Sequence, residues 1–301
     1  MENRVTTEHI NQVYDDLDSR STAEILQLMS AEDHKVSTAV AEELAHISQA
    51  VDIITECFKQ GGRLIYVGAG TSGRIGILDA SECKPTFGVS SSMVQGVIAG
   101  GREAIFTPVE SAEDDTVAGS KEMENLSVCS QDCVVGIAAS GKTPFVLAAL
   151  VKARELGART VGLTCNKDTP MEDLTDICIS VVVGPEIIAG STRLKAGTAQ
   201  KMVLNMLSTV SMIKVGKVYK NIMVDMIPSN AKLVKRAIAQ VQTLTDVDEN
   251  IAREALEASG YHVKTAVLMV KAGVSASRAR LLLADNDDNL RVTLGKVCGS
   301  I

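Results

Sequence analysis

The chain has no tryptophan, only four phenylalanines and four tyrosines, and no excess of basic residues: 30 Lys+Arg stand against 37 Asp+Glu, a net charge of −7. Nucleic-acid binding wants a basic stripe for phosphates or rings on which bases stack, so an acidic, ring-poor chain argues against that class. No apolar run approaches the roughly 18 residues that span a bilayer. The opening residues, MENRVTTEHINQVYDDLD, are polar and acidic and lack the apolar stretch of a secretory signal. A cytoplasmic protein without membrane or nucleic-acid partners is expected. Seven cysteines, an odd number with no C-x-x-C pair, read as reduced thiols rather than a disulfide framework or zinc site. Histidine occurs only at 9, 34, 46 and 262. That gap excludes a His-based metal centre or a Ser-His-Asp triad within residues 47–261. No metal and no cofactor is expected.

What is present divides the 301 residues into three stretches. Residues 1–60 read as an N-terminal helical segment. Ser21 with Glu24 forms a capping box, and Ser30 offers a second helix start. Beyond it Val36, Val40, Leu44, Ile47, Val51, Ile54 and Phe58 recur at steps of three and four, an apolar seam. Such a seam serves equally to pair two copies of the chain or to cover the chain's own sheet. Gly61-Gly62 stops the helix, and RLIYV at 63–67 switches the period to that of a buried strand.

Over 61–228 strands and helices alternate. Strands are expected at 63–67, 93–98, 133–138, 159–164 and 178–183, and helices at 73–83, 112–124, 144–156 and 195–215. This pattern predicts an α/β fold, a doubly wound parallel five-stranded sheet covered on both faces. Pro228 and Ser229 open a last stretch, 229–301. It carries ten basic and eight acidic residues, net +2, against net −9 for 1–228. Helical patterns at 231–243, 248–258, 262–271 and 275–284 make it a small helical domain.

In such sheets ligands bind at the carboxyl ends of the strands, and three polar loops fall there. Gly68-Ala-Gly-Thr-Ser-Gly73 fits the dinucleotide fingerprint, but the next strand ends in Ala99-Gly100-Gly101 without the acid that would hold a ribose. Its two hydroxyls, Thr71 and Ser72, suit a phosphomonoester at a helix start, with a merely tight turn as the dull alternative. Residues 136–143, GIAASGKT, fit the P-loop pattern literally. Gly136 nevertheless lies inside an apolar strand, and no later strand ends in a magnesium-holding Asp, so a Ser/Thr-lined phosphate loop explains the string better. The third loop is 184–197, with Glu186 beside a hydroxyl-rich stretch. Among other acids, Glu82 is expected near a loop because Pro85 should end its helix. Glu113 is expected in a first turn capped by Ser111, where the helix dipole alone favours an acid. From the residues by themselves each of these acids is either catalytic or an ordinary surface carboxylate.

Three long strings are similar to one family: GAGTSGRIGILDASECKPTFG (68–88), VIAGGREAIF with VESAEDD (97–115), and GPEIIAGSTRLKAGTAQKMVLNM (184–206). With STAEILQLMSAED (21–33) and EALEASGYHVKTAVLMVKAG (254–273), the chain resembles the N-acetylmuramic acid 6-phosphate etherases along nearly its whole length. The resemblance implies a sugar-isomerase-type (SIS) domain in a homodimer, with a small sugar phosphate as ligand. It implies cleavage of the D-lactyl ether, giving N-acetylglucosamine 6-phosphate and D-lactate. It assigns Glu82 as proton donor and Glu113 as second active-site acid, which the chemistry of elimination makes the expected base at C2. The 6-phosphate is then expected at Thr71, Ser72, Ser140, Gly141 and Thr143, with Ser191 and Thr192 on the sugar side. Two alternatives are an aldose–ketose phosphate isomerase, which usually wants a ring-opening His, and a non-catalytic sugar-phosphate sensor.

Overall fold

The computed structural model describes residues 6–226, 228 and 230–299; Ser229, expected to open the last stretch, lies outside them. The chain folds as two units, one of residues 1–81 and 91–208 and the other of 82–90 and 209–301.

In the first unit the Ser21–Glu24 capping box forms as the sequence implies and starts α1 at Thr22–Glu42. Ser30 starts nothing, because the helix runs through it unbroken. The break comes instead at Glu43, and α2 follows at Leu44–Lys59. Glu43 is itself buried and accepts the Ser180 N–H at 3.2 Å, which ties the kink to the last strand of the sheet. The seam is buried at Val36, Val40, Ile47, Val51, Ile54 and Phe58, while Leu44 is exposed. Its α2 portion covers the chain's own sheet. The seam is therefore no free surface for pairing copies: a parallel sheet needs both faces covered, and α2 supplies part of one cover.

Five strands follow in alternation with helices: β1 (Leu64–Gly68), α3 (Gly70–Phe87), β2 (Val94–Ile98), α4 (Thr116–Asn125), β3 (Cys133–Ile137), α5 (Pro144–Glu155), β4 (Arg159–Thr164), α6 (Pro170–Leu174), β5 (Ile177–Ser180) and α7 (Lys195–Lys214). All pairings are parallel, in the order β2-β1-β3-β4-β5. The strands start and stop within three residues of expectation because their apolar runs are short and sharply bounded. The order reverses between β1 and β3, and the crevice at that switch point is where doubly wound sheets bind ligands.

Opposite strand faces carry different covers. Ile65, Val67 and Val134 pack with Phe145, Val146 and Leu150 of α5. The other face presents Tyr66, whose hydroxyl donates to Asp79 of α3 at 2.9 Å. Asp79 also accepts from Asn205 (2.6 Å) and Ser208 (3.2 Å) of α7. Burial pushes this carboxyl above its ordinary range, against the three hydrogen bonds that favour its charge. One buried acid thus ties β1, α3 and α7 together. Pro85 does not end α3, contrary to expectation. It stands two residues before the helix end, where it removes one i→i−4 hydrogen bond, and buried Cys83 and Phe87 hold the last turn in place.

The second unit contains an antiparallel hairpin, β6 (Val218–Tyr219) and β7 (Ile222–Met223), and five helices: α8 (Ala231–Thr245), α9 (Glu249–Ala258), α10 (Val263–Ala272), α11 (Ala276–Ala284) and α12 (Leu290–Cys298). The sequence periods found four of the helices and not α12; the hairpin strands are too short to show a period. Side chains of Asn230, Asp248, Ser275 and Asn289 cap four helix starts. Val241, Leu256, Val267, Leu268 and Leu283 form the core. Lys264 is fully buried beside it and donates to Asp225 (2.7 Å) and Asp288 (2.8 Å). Lys217 and His262 also pair with Asp225.

Burial opposes ionisation of Asp225, but its bond to His262 and the charges of Lys264 and Lys217 hold its carboxyl down at about 2. A folded pKa below the unfolded value stabilises above the unfolded pKa, and that contribution disappears as pH falls through the folded one. The second unit should therefore lose about 2 kcal/mol between roughly pH 4 and pH 2. Urea unfolding across that range checks this: Asp225→Asn should flatten the acid-side slope, and an unchanged slope would reject the assignment.

Candidate active site

The turn out of β1 is a close approach of two backbones. A Cβ on Gly68 would meet the Gly73 nitrogen at 2.6 Å, and one on Gly73 would meet the Gly68 carbonyl oxygen at 2.8 Å. Without those atoms α3 begins immediately at the strand end, and its first N–H groups, which lack intrahelical partners, face the crevice. The loop after β3 turns at Gly141, with φ +68°, where a Cβ would stand 2.6 Å from Thr169. Gly136 lies within β3, and a Cβ there would strike Leu150 of α5. It serves strand–helix packing, not a phosphate turn, as the sequence reading held.

A cavity of about 450 Å³ opens at these two loops. Thr71, Ser72, Ser140, Thr143 and Thr192 all line it, so three segments distant in sequence converge as anticipated. Gly141 shapes the loop without lining the cavity, and Ser191 stands outside the lining, its N–H bonded to the Ile188 carbonyl. Ser72 donates its hydroxyl proton to Gln200 at 3.0 Å, so what it offers an anion is chiefly its backbone N–H. Ser140 Oγ accepts the Lys142 N–H at 3.2 Å and keeps its own proton to give. Lys142 is exposed and is the one cation among the lining residues described. Its place between Gly141 and Thr143 was visible in the sequence, but only as the lysine of a P-loop pattern.

Glu113 lines this cavity and also a second one of about 360 Å³, together with Ala69 and Gly70. It sits on a 3-10 turn, Ala112–Asp114, rather than in the first turn of a helix. Ser111 holds φ +63° and makes no side-chain cap; the helix that follows is α4, capped by Asp115 at 2.8 Å from the Ala118 N–H. Glu113 is consequently exposed on a short turn aimed at the crevice, a placement that dipole preference does not explain.

Glu82 is exposed on α3, twelve residues past Gly70. At 1.5 Å per residue that is about 18 Å along the helix, and Glu82 lines neither cavity. Glu186, a third candidate, is buried and accepts the N–H groups of Lys195 (3.0 Å) and Ala196 (2.9 Å) at the start of α7. Lys195 is also withdrawn from the crevice. Its ammonium pairs with buried Glu32, which Lys35 and Tyr14 also contact. Burial opposes ionisation of Glu32, but those three hydrogen bonds bring its carboxyl down to about 2, while burial and the bond to Glu32 push the Tyr14 phenol up to about 12. Sequence reasoning missed Glu8, which reaches the larger cavity from an N-terminal 3-10 turn with no periodic signal. Among the described residues no three His, Cys, Asp or Glu gather to hold a metal ion.

The sheet order and the hydroxyl-lined crevice at its switch point define an SIS-type α/β domain. A family model described as the glucokinase regulatory protein N-terminal SIS domain matches residues 46–154, and one described as SIS domain matches 112–210. A phosphoheptose isomerase structure from Francisella tularensis, 18% identical, aligns with 64% of this chain and 98% of its own at a TM-score of 0.50, which shows the shared fold. The N-acetylmuramic acid 6-phosphate etherase of Edwardsiella ictaluri is 53% identical over 288 residues, 96% of each chain. That of Geobacillus sp. is 52% identical over 267 residues, 89% of this chain and 90% of its own. The chain belongs to the N-acetylmuramic acid 6-phosphate etherase family.

The bonds at Glu186 assign it a structural role. Glu186→Gln keeps one acceptor but removes the charge that faces two helix-start N–H groups. The first unit should lose about 1.5–3 kcal/mol of stability, read by denaturant titration, without loss of ligand affinity. Unchanged stability with lost turnover would place Glu186 in the chemistry instead.

Proposed function

We propose that this chain cleaves the D-lactyl ether of N-acetylmuramic acid 6-phosphate, releasing D-lactate and N-acetylglucosamine 6-phosphate, in amino-sugar catabolism. The observation that carries the reading is the position of Glu113, on the wall between a hydroxyl-lined cavity at two helix starts and a second, smaller one. The 6-phosphate binds at Thr71, Ser72, Ser140 and Thr143 with the charge of Lys142, and Thr192 meets the sugar. This remote binding energy orients the reacting carbons.

An alkyl ether resists direct hydrolysis because alkoxide leaves poorly. Opening the sugar ring exposes an aldehyde at C1, which acidifies the C2 hydrogen. Glu113 as carboxylate takes that proton. The C3–O bond then breaks as a second carboxyl, Glu82, protonates the ether oxygen and D-lactate departs. Water adds across the resulting C2=C3 bond, its hydroxyl to C3 and a proton to C2. One carboxyl must start ionised and the other protonated. A doubly charged sugar phosphate does not cross a membrane unaided, and among the described residues no helix is long and apolar enough to cross one. The site of action is the cytoplasm.

Glu82 is exposed and lines neither cavity of the first unit. A homodimer in which Glu82 of one copy completes the crevice of the other reconciles these facts. Glu113→Gln and Glu82→Gln should each slow D-lactate release by about 10²–10⁴-fold. Dimers mixed from the two variants should recover activity, since one of their two sites then carries neither substitution. Full activity of either variant would remove that residue from the reaction, and dead mixed dimers would reject the shared site.

Turnover in heavy water should place deuterium at C2 of the amino-sugar product, seen by NMR. Product formed at the normal rate with hydrogen at C2 would rule out elimination through the open-chain aldehyde.

A further inference from the structure

The second cavity has a chemistry of its own. Ala99, Ala104, Pro108, Val109 and Ala112 give it small apolar walls, and its one cation among the described residues is Arg74. This arginine follows Gly73 directly, so the tight β1–α3 turn presents it at the crevice. Its Nε donates to the Ile105 carbonyl at 3.0 Å, which fixes the guanidinium plane. The terminal nitrogens remain available: among the described residues no carboxylate forms an ion pair with Arg74, although Glu110 and Glu113 line the same cavity. An anion entering there meets two acids, and only Arg74 offsets them.

We propose that Arg74 is a specificity-determining residue that binds the carboxylate of the lactyl arm in this second cavity, with the arm's methyl group against the alanine and valine wall. The inference rests on the etherase reading and deepens it. A substrate with its phosphate in the larger cavity and its lactyl arm in the smaller one must pass its ether link across the wall they share. Glu113 stands on that wall. C2 and the ether oxygen are both bonded to C3, so one carboxylate at the wall reaches the proton it removes while Arg74 holds the departing group. A planar guanidinium with the edge of its two terminal nitrogens free matches a carboxylate in a way that an ammonium does not.

The test uses methyl glycosides, whose rings cannot open and which therefore bind without turnover. One probe is the methyl glycoside of N-acetylmuramic acid 6-phosphate, and the other is the same molecule with its lactyl acid converted to the amide. By calorimetry, wild-type protein should bind the acid roughly ten- to a hundredfold more tightly than the amide. Arg74→Gln should lose that preference while its affinity for the amide is little changed, a pattern that general loosening of the Ile105 turn does not produce. Arg74→Lys, which keeps the charge without the fork, should retain part of the preference. Equal binding of acid and amide by the wild type, or a preference that survives in Arg74→Gln, overturns the assignment. D-lactate release from the free reducing sugar is read separately. Acid preference without release leaves Arg74 in place and removes the etherase reading, and release without preference does the reverse.

Discussion

The near-contact of two backbones where β1 becomes α3 is the constraint on which the rest depends. With hydrogen alone on Gly68 and Gly73, the helix starts one residue after the strand ends. A wider turn would swing the first helical N–H groups, Thr71 and Arg74 away from the crevice together, because one rigid helix carries them all. Asp79 locks that helix in place two turns further on, bonded to Tyr66 below it and to Asn205 and Ser208 beside it. The polar cross-tie is buried, so it specifies how α3 and α7 lie against the sheet in a way that apolar packing alone does not.

Charge is distributed under the same discipline. Each unit buries a lysine, Lys195 in the first and Lys264 in the second, and each is matched by carboxylates. Removing one partner of such a pair leaves an uncompensated charge, which is far costlier than never having had the pair. The internal cations are thereby fully engaged. Lys142 and Arg74 are left at the crevice, one in each cavity, facing a wall of acids.

Much of this is legible in the sequence. The five strands announce themselves as short apolar runs closed by glycine or polar loops, and the three hydroxyl loops follow from where a parallel sheet ends. The Ser21–Glu24 cap is readable because both halves of it are local. What was not legible depends on partners distant in sequence. Ser30 resembles a cap as much as Ser21 does, but the helix already passing through it leaves it nothing to cap. The apolar seam gives no sign of which surface it covers, and Pro85 breaks a helix only where nothing beyond it is anchored. Glu186 looked like a catalytic acid because its bonds run to backbone N–H groups, which every sequence possesses and none displays. Arg74 and Lys142 were hidden differently: one directly follows and the other sits inside a motif whose pattern drew attention to glycines and hydroxyls.

The carboxylate of Glu186 has a consequence for how a ligand can lie. Of the helices that begin along this edge of the sheet, α3, α5 and α7 follow the three polar loops, and three positive dipole ends there would make a symmetrical trap in which an anionic head could settle anywhere. Glu186 neutralises the end at α7 with the protein's own negative charge. Two attractive ends remain, at α3 and α5, so the crevice acquires a direction. In the proposed binding mode the doubly charged end of a guest would be drawn to one side, and its uncharged middle would fall opposite Thr192. In that mode an acid bonded to the chain's own backbone would decide which way round the molecule is read.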